Sequence, residues 1–356
     1  MRRIKRERKQ IIRKLKKLGE EVYIALKKGR LPSIRIPDRS TANIKYDINK
    51  GEYVLGEKVI TRSTKKVSHL KPFTQLIWVA YFAKELVKSG KTSTLRDVFY
   101  SSQAYQIPFR NQKESNEIIM DLEAVLGVSR EIFNIVPEER SAIFGDLTIE
   151  YTLPGYEGRR VNLTSHPDGL MIGHALRTAE FIDTSAERVF VIEKGGVFTR
   201  FIEERVHEKY KAILINTMGQ APRSTRYLIR RLNQELGLPI YVFTDADPWG
   251  LHISVVIISG SANSAHIREL ATPSAKWIGV WATDIPKYKL PSDKLTEIDV
   301  KRLLELKKDI RYQKKFWQEQ IDKFLELKRK SEQEAFAKYG LTYIVDKYLK
   351  DKIASI

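Results

Sequence analysis

The sequence predicts an α/β chain of more than one domain, with a winged helix-turn-helix in the front half and a parallel α/β sheet in the back half. Three observations predict it. Residues 187–290 alternate buried-strand and helix patterns, which argues a parallel sheet. Residues 71–152 carry helical segments followed by a hairpin-like run. The length of 356 residues is enough for two or three domains and an ample core. The expected divisions are 1–70, a basic helix and β-rich extension; 71–152, the winged-helix unit; and 153–356, the α/β unit with a helical end.

Residues 2–17 hold ten Lys or Arg and one Glu. Ile4, Ile11, Leu15, Leu18 and Val22 recur at heptad-like spacing, so one helix edge is apolar. The basic face is either solvated or an arm for DNA or a partner protein. Short β patterns follow at 34–36, 44–46, 53–55 and 59–60, with a turn signal at Asn49-Lys-Gly51. An apolar helix is predicted from Thr74 to Ser89-Gly90. The next starts at Thr94, an N-cap with Asp97 in the first turn, and carries Arg96 and Tyr100 on one face. A third spans 113–126, and Gly127-Val-Ser129 precedes a short fourth. Ala142 to Tyr151 reads as a hairpin wing.

In the back half, Arg188 to Ile192 is a buried strand that ends in Glu193 and glycines. A helical segment over 198–210, a strand over 212–215, a basic helix over 225–236 and the strand Ile240–Phe243 follow. Residues 299–356 read as helical.

The chain carries 63 basic against 44 acidic residues, a net charge of +19. That balance points to a polyanionic partner, nucleic acid before anionic membrane, against the plain alternative of a solvated surface. The absence of cysteine excludes disulfides and thiolate zinc sites and suits a reducing cytoplasm. No apolar run reaches spanning length, and the basic N-terminus lacks the apolar core of a secretory signal, so a cytoplasmic protein is expected.

The strand Ile240–Phe243 runs into Asp245-Ala-Asp247-Pro-Trp-Gly250. In extended chain, carboxylates at i and i+2 share a side. They stand at the carboxyl end of a core strand, where open α/β sheets place their sites. Adjacent carboxylates repel unless a cation lies between them, and hard oxygen donors suit Mg²⁺. The plain alternative is a polar turn with a helix-capping Asp. In a parallel sheet Glu193 reaches the same edge, so Glu193, Asp245 and Asp247 are expected to converge.

Leu95-Arg-Asp-Val-Phe-Tyr100, Ile192-Glu-Lys194 and Asp245-Ala-Asp247-Pro-Trp-Gly250, in that order, resemble the A subunit of DNA topoisomerase VI and its relative, the meiotic double-strand-break transesterase. Ile36-Pro-Asp-Arg39-Ser, Gln112-x-x-Ser115 through Asp121-Leu-Glu123, and Gly219-Gln-Ala-Pro-Arg223-Ser-Thr-Arg226 extend the resemblance over most of the chain. The archaeal type is the nearer fit. The resemblance implies a winged-helix (CAP-like) DNA-binding domain followed by a Toprim α/β domain that binds Mg²⁺. It implies Tyr100 as nucleophile, with Phe99 standing where many relatives have a first tyrosine, and Arg96 as the basic residue four before it. It implies Glu193, Asp245 and Asp247 as metal ligands. Met218 stands where some relatives carry a basic residue.

A tyrosine nucleophile conserves phosphodiester energy in a reversible 5'-phosphotyrosine link. Arg96 would stabilise charge on the phosphate, or else pair with Asp97 or Glu123. Lys194 reads as a DNA-backbone contact or a surface charge. Arg223, Arg226 and Arg230, with Arg231, read as a phosphate-tracking helix face or a solvated one. His166 and His174 read as structural. A double-strand break needs two tyrosines, hence a homodimer. No Gly-x-x-x-x-Gly-Lys-Ser/Thr loop is present, so any ATP must be bound elsewhere; the resemblance implies a separate ATP-binding B subunit, in an A2B2 heterotetramer that passes one duplex through another. The competing readings are a Toprim-type hydrolytic nuclease or primase, and a non-catalytic DNA-binding scaffold.

Overall fold

A computed structural model describes residues 2–138 and 140–355, with side chains from residue 7 onward. The side chains of Arg2 to Arg6, and with them the Ile4 of the expected apolar edge, lie outside the described residues, as does Ile356.

Helix α1 (Arg2–Lys27) buries Ile11, Leu15 and Leu18, spaced four and three apart, against the front core. Strands β1 (Ser33–Pro37) and β4 (Val59–Ser63) pair antiparallel around the hairpin of β2 (Ile44–Asp47) and β3 (Glu52–Leu55). Helix α2 (Val67–Ser89) starts a full turn before the expected Thr74 and contains Pro72. A proline so close to a helix start removes a single donor, and the apolar residues beyond it hold the helix down. Gly90 ends it in the left-handed region, at φ 70°.

Strand β5 (Ser93–Thr94) leads into α3 (Leu95–Ala104), and α4 (Gln112–Leu126) follows. Thr94 and Asp97 form a full capping box: the Asp97 N–H donates to Thr94 Oγ1 at 3.1 Å, and the Thr94 N–H to Asp97 Oδ2 at 2.8 Å. The segment after Gly127 is one 3₁₀ turn, Arg130–Phe133, before β6 (Ile135–Val136), which pairs parallel with β5. Leu76, Val79, Ala83, Val98, Ile119, Leu122 and Phe133 close this front core.

Residues 142–151 do not form the expected hairpin wing. Strand β7 (Ala142–Phe144) pairs antiparallel with a strand of the back-half sheet, while β8 (Leu147–Glu150) pairs with β9 (Arg160–Asn162) and β11 (Glu180–Thr184). Gly145, at φ 138°, turns the chain from one sheet to the other. The alternation of apolar residues is real, but its buried partners lie in the back half, so the sheet recruits residues assigned by sequence to 71–152.

The remaining members of that sheet are β10 (Leu170–Met171), β12 (Arg188–Ile192), β13 (Ala212–Asn216), β14 (Ile240–Phe243) and β15 (Lys276–Gly279). The order is β10-β7-β13-β12-β14-β15, with β13, β12, β14 and β15 parallel. Alternate residues of β12 face two cores. Phe190 and Ile192 face one built with the C-terminal helices; Val189 and Val191 face another that includes Leu228, Ile229 and Leu232. Helix α5 (His174–Thr178) precedes β11. The single helix expected over 198–210 is two, α6 (Gly195–Glu203) and α7 (Val206–Lys209), broken where Arg205 takes φ 54°. Helix α8 (Arg223–Leu236) and helix α9 (Pro248–Ser259) flank β14 in sequence. The C-terminal part holds α10 (Asp284–Lys287), β16 (Asp293–Lys294), α11 (Glu297–Lys308), α12 (Lys315–Leu327), β17 (Arg329–Lys330) and α13 (Leu349–Ala354).

Candidate active site

Parallel register places the candidate acids. Ile192 of β12 lies opposite Phe243 of β14, so the next residues of both strands emerge at one edge. The Glu193 N–H continues the ladder to Phe243 O at 3.1 Å. The Asp245 N–H then donates to Glu193 Oε2 at 3.0 Å, which seats one carboxylate against the backbone of the next. Asp245 Oδ1 accepts from the backbone N–H of Gln333 at 2.9 Å. Its Oδ2 lies 3.2 Å from Lys194 Nζ, whose other partner is Glu332 at 3.6 Å.

Asp247 turns to a different task. It is the N-cap of α9, with Oδ1 accepting from the Gly250 N–H at 2.6 Å. The turn is tight: a Cβ at Gly250 would collide with the carbonyl oxygen of Asp245. The charged groups felt most strongly by Asp247 are Lys330 and Asp299.

Burial, then the charge of Asp245, pushes the Glu193 carboxyl up to about 8. Burial pushes Asp245 up to about 6, against the opposing pull of the Gln333 N–H and Lys194. Burial also raises Asp247. These are hard oxygen donors short of positive charge, the condition a divalent cation relieves. Among the described residues no three His, Cys, Asp or Glu side chains form a ready metal cluster. Glu193 and Asp245 are two carboxylates at one edge, a donor set compatible with an ion such as Mg²⁺, which takes one or two carboxylates and keeps several waters.

Tyr100 and Arg96 lie on α3, which packs on the front core through Val98. Tyr100 is 62% exposed, and among the described residues its ring stacks with Phe99 alone, edge-on at 5.3 Å between centroids. Arg96 is exposed and, among the described residues, pairs with neither Asp97 nor Glu123. An exposed phenol and an exposed guanidinium, one helical turn apart, face solvent together.

Two protein-family models match the chain. One describes the Toprim domain shared by the topoisomerase 6 A subunit and Spo11 and covers residues 188–353; the other describes type IIB DNA topoisomerases and covers 71–135. The A subunit of type 2 DNA topoisomerase 6 from Methanothermobacter thermautotrophicus is 43% identical over 347 residues, covering 97% of each chain. The chain belongs to the topoisomerase 6 A-subunit family. It is an enzyme chain of the DNA topoisomerase class. The A subunit from Archaeoglobus fulgidus is 39% identical over 97% of each chain, and that from Halobacterium salinarum 36% over 95% of this chain and 94% of its own.

In this topoisomerase chain the arginines of α8 do not form the expected phosphate-tracking face. Arg223 turns inward to the fully buried Glu123 of α4, with Nη1 3.2 Å from Oε2, and to Glu131 at 3.3 Å. Glu123 is held down to about 2 despite burial, by Arg223, His266 and Arg130. Arg226 is buried with Nη1 3.5 Å from Leu270 O, and burial followed by the charge of Arg223 pulls it down to about 10. Arg231 is buried against Glu235 and the carbonyls of Arg177 and Ala179. Arg223 joins the back half to α4 and its 3₁₀ turn, while Arg226 and Arg231 tie down segments within the back half; spacing on a helix cannot tell a polar interface from a solvent face. Arg230 is half-buried against Gln234.

Sequence reasoning missed the segment Lys330–Gln333 of this family member. It crosses the acid edge: Ser331 bridges Ala246, and fully buried Gln333 holds Asp245 through its N–H and accepts the Lys194 N–H at Oε1, 3.3 Å. Lys330 bonds Asp299 at 2.8 Å. A short polar stretch more than 80 residues from Asp245 carries no local signal of this placement.

Proposed function

We propose that this chain is the DNA-cleaving and rejoining component of an ATP-dependent type IIB topoisomerase, with Tyr100 as nucleophile. The observation that carries the reading is the pairing of an exposed Tyr100 beside Arg96 with a separate sheet edge where Glu193 and Asp245 meet. Tyr100 Oη attacks a DNA phosphorus. A bond forms from Oη to phosphorus, the bond to the 3' oxygen breaks, and the phenol proton ends on the released 3' hydroxyl. The 5'-phosphotyrosine is reversed when that hydroxyl attacks in turn. A phenol titrates near pH ~10 and needs help to attack. Arg96 supplies it by stabilising charge on the phosphate oxygens.

Glu193 and Asp245 would hold Mg²⁺, with Asp247 acting from the α9 cap, directly, through water or toward a second ion. Bound there, the ion would neutralise and orient phosphate oxygens. Tyr100 stands on α3 and the acids at the ends of β12 and β14; in a homodimer the tyrosine of one protomer would work beside the acids of its partner. Two such sites cut both strands. The helix-turn-helix character assigned to the front half rests on α2, α3 and α4, without the wing expected at 142–151. ATP is bound by a B subunit in an A2B2 complex, which drives passage of a second duplex.

The test is a denaturing gel after incubation with end-labelled duplex, B subunit, ATP and Mg²⁺. With label at the 3' ends, wild type is expected to form a covalent adduct that carries label through the 5' phosphate at the break, and Tyr100→Phe none. Undiminished cutting by Tyr100→Phe with free ends would instead identify a hydrolytic nuclease.

A further inference from the structure

We propose that Lys194 is a tethered cation that holds the place of Mg²⁺ on Asp245, and that metal loading releases it to a DNA phosphate. The proposal rests on the reading of Glu193 and Asp245 as the metal site and adds a device that couples the metal to DNA grip.

The backbone of Lys194 is fixed. Its residue is the N-cap of α6, and its N–H donates to Gln333 Oε1. Only the four-carbon side chain is free to move, and it is 30% exposed. Its ammonium lies 3.2 Å from Asp245 Oδ2 and 3.6 Å from Glu332 Oε1. Glu332 is itself 65% exposed, so that second contact is weak and screened. Asp245, by contrast, is buried, and its other oxygen is already taken by the Gln333 N–H. A metal reaching Asp245 therefore meets Oδ2, the oxygen that Lys194 occupies. Two cations cannot share it at contact distance without strong repulsion.

The ammonium is the partner that yields, because its stem rotates and it has solvent to enter. Once released it stands at the rim of the acid edge, the place a phosphate must approach to reach the metal. A phosphate there gains a positive partner only after the metal has arrived. Without metal, Lys194 instead quiets the charge of Asp245 from 3.2 Å.

Two measurements test this on the full chain. The first is calorimetric titration with Mg²⁺ in the absence of DNA. Lys194→Met is expected to bind Mg²⁺ roughly fivefold tighter than wild type, the scale of a part-exposed ion pair. Lys194→Arg is expected to stay within about twofold of wild type, since it keeps the competing charge. Equal or weaker binding by Lys194→Met overturns the proposal. Asp245→Asn separates the two ideas: if it binds Mg²⁺ as wild type does, the acid-site reading itself fails.

The second measurement needs no variant. Lysine acetylation of wild type, read at Lys194 by mass spectrometry, is expected to rise severalfold on adding Mg²⁺ and to fall again when duplex DNA follows. Labelling that ignores Mg²⁺, while titration shows the ion bound at Asp245, leaves the acid site standing and removes the displaced lysine.

Discussion

The backbone N–H of Asp245 donates to the carboxylate of Glu193 at 3.0 Å, so two strand ends 52 residues apart in sequence share one hydrogen bond. That bond lets the half-buried Glu193 and the buried Asp245 occupy one sheet edge. It satisfies one oxygen of Glu193 while the rest of its environment resists ionisation.

The pH dependence follows from this edge. Glu193 rises from an ordinary 4.5 to about 8 and Asp245 from 3.8 to about 6. The folded protein thus keeps protons that the unfolded chain has already released. The stability contributed by these protonated acids is complete below the unfolded values and is lost as pH climbs through 6 and then 8. Glu123, held down to about 2, acts in the opposite sense and only below its ordinary 4.5, outside this window. Burial pushes His174 and His252 down to about 4, and they act in the opposite sense within the window, so the comparison is with Glu193→Gln. By scanning calorimetry in EDTA, wild type is expected to lose several degrees more melting temperature between pH 5.5 and pH 8 than that variant. Mg²⁺ at pH 8 is expected to restore it, since the ion replaces the protons. An equal change with pH in wild type and Glu193→Gln contradicts the assigned environment.

Tyr100→Phe is expected to separate chemistry from folding. The Tyr100 hydroxyl makes no hydrogen bond among the described residues, and the side chain is largely exposed, so unfolding free energy should move by less than about 0.5 kcal/mol. Adduct formation should fall by roughly a thousandfold or more. Urea titration and the denaturing gel measure the two effects on one preparation.

Arg96→Ala is expected to lower the rate of adduct formation about a hundredfold, the usual cost of losing one donor to a developing charge. Arg96→Lys should recover part of the loss, because the charge returns without the two-pronged geometry. Filter binding in EDTA should show nearly unchanged affinity for duplex DNA. A large loss of affinity there would make Arg96 a general phosphate contact.

Arg223→Ala is expected to cost about 3–5 kcal/mol of stability, because it strands Glu123 and Glu131 without their buried partner. Arg230→Ala, in the same helix but half-buried, should cost less than about 1 kcal/mol. If both variants fold equally well and both lose DNA affinity, α8 is a phosphate-tracking face after all.

Much of this arrangement is legible in the sequence, for definite reasons. Strands that are buried on both faces read as unbroken apolar runs, so β12, β13 and β14 and the acids at their ends are visible. Thr94 and Asp97 announce α3 by cap chemistry that depends on nearest neighbours alone. What stays hidden depends on distant partners. The apolar alternation of 142–151 says that one face is buried, not against which sheet. Arg223 and Arg226 look solvent-bound until Glu123 and Leu270 are placed beside them. Asp247 reads from sequence as a ligand or as a helix cap; only the Gly250 N–H at 2.6 Å shows its present engagement. Gln333 has no signal of any kind.

The bridge between Ala246 and Ser331 has a consequence for biosynthesis. A nascent polypeptide that has left the ribosome as far as Leu327 already contains Tyr100, Glu193 and both aspartates, but nothing yet braces Asp245 from its far side. Translation must run past Gln333 before the acid edge is complete, so products terminated earlier carry Tyr100, Glu193 and both aspartates without the backbone N–H that holds Asp245.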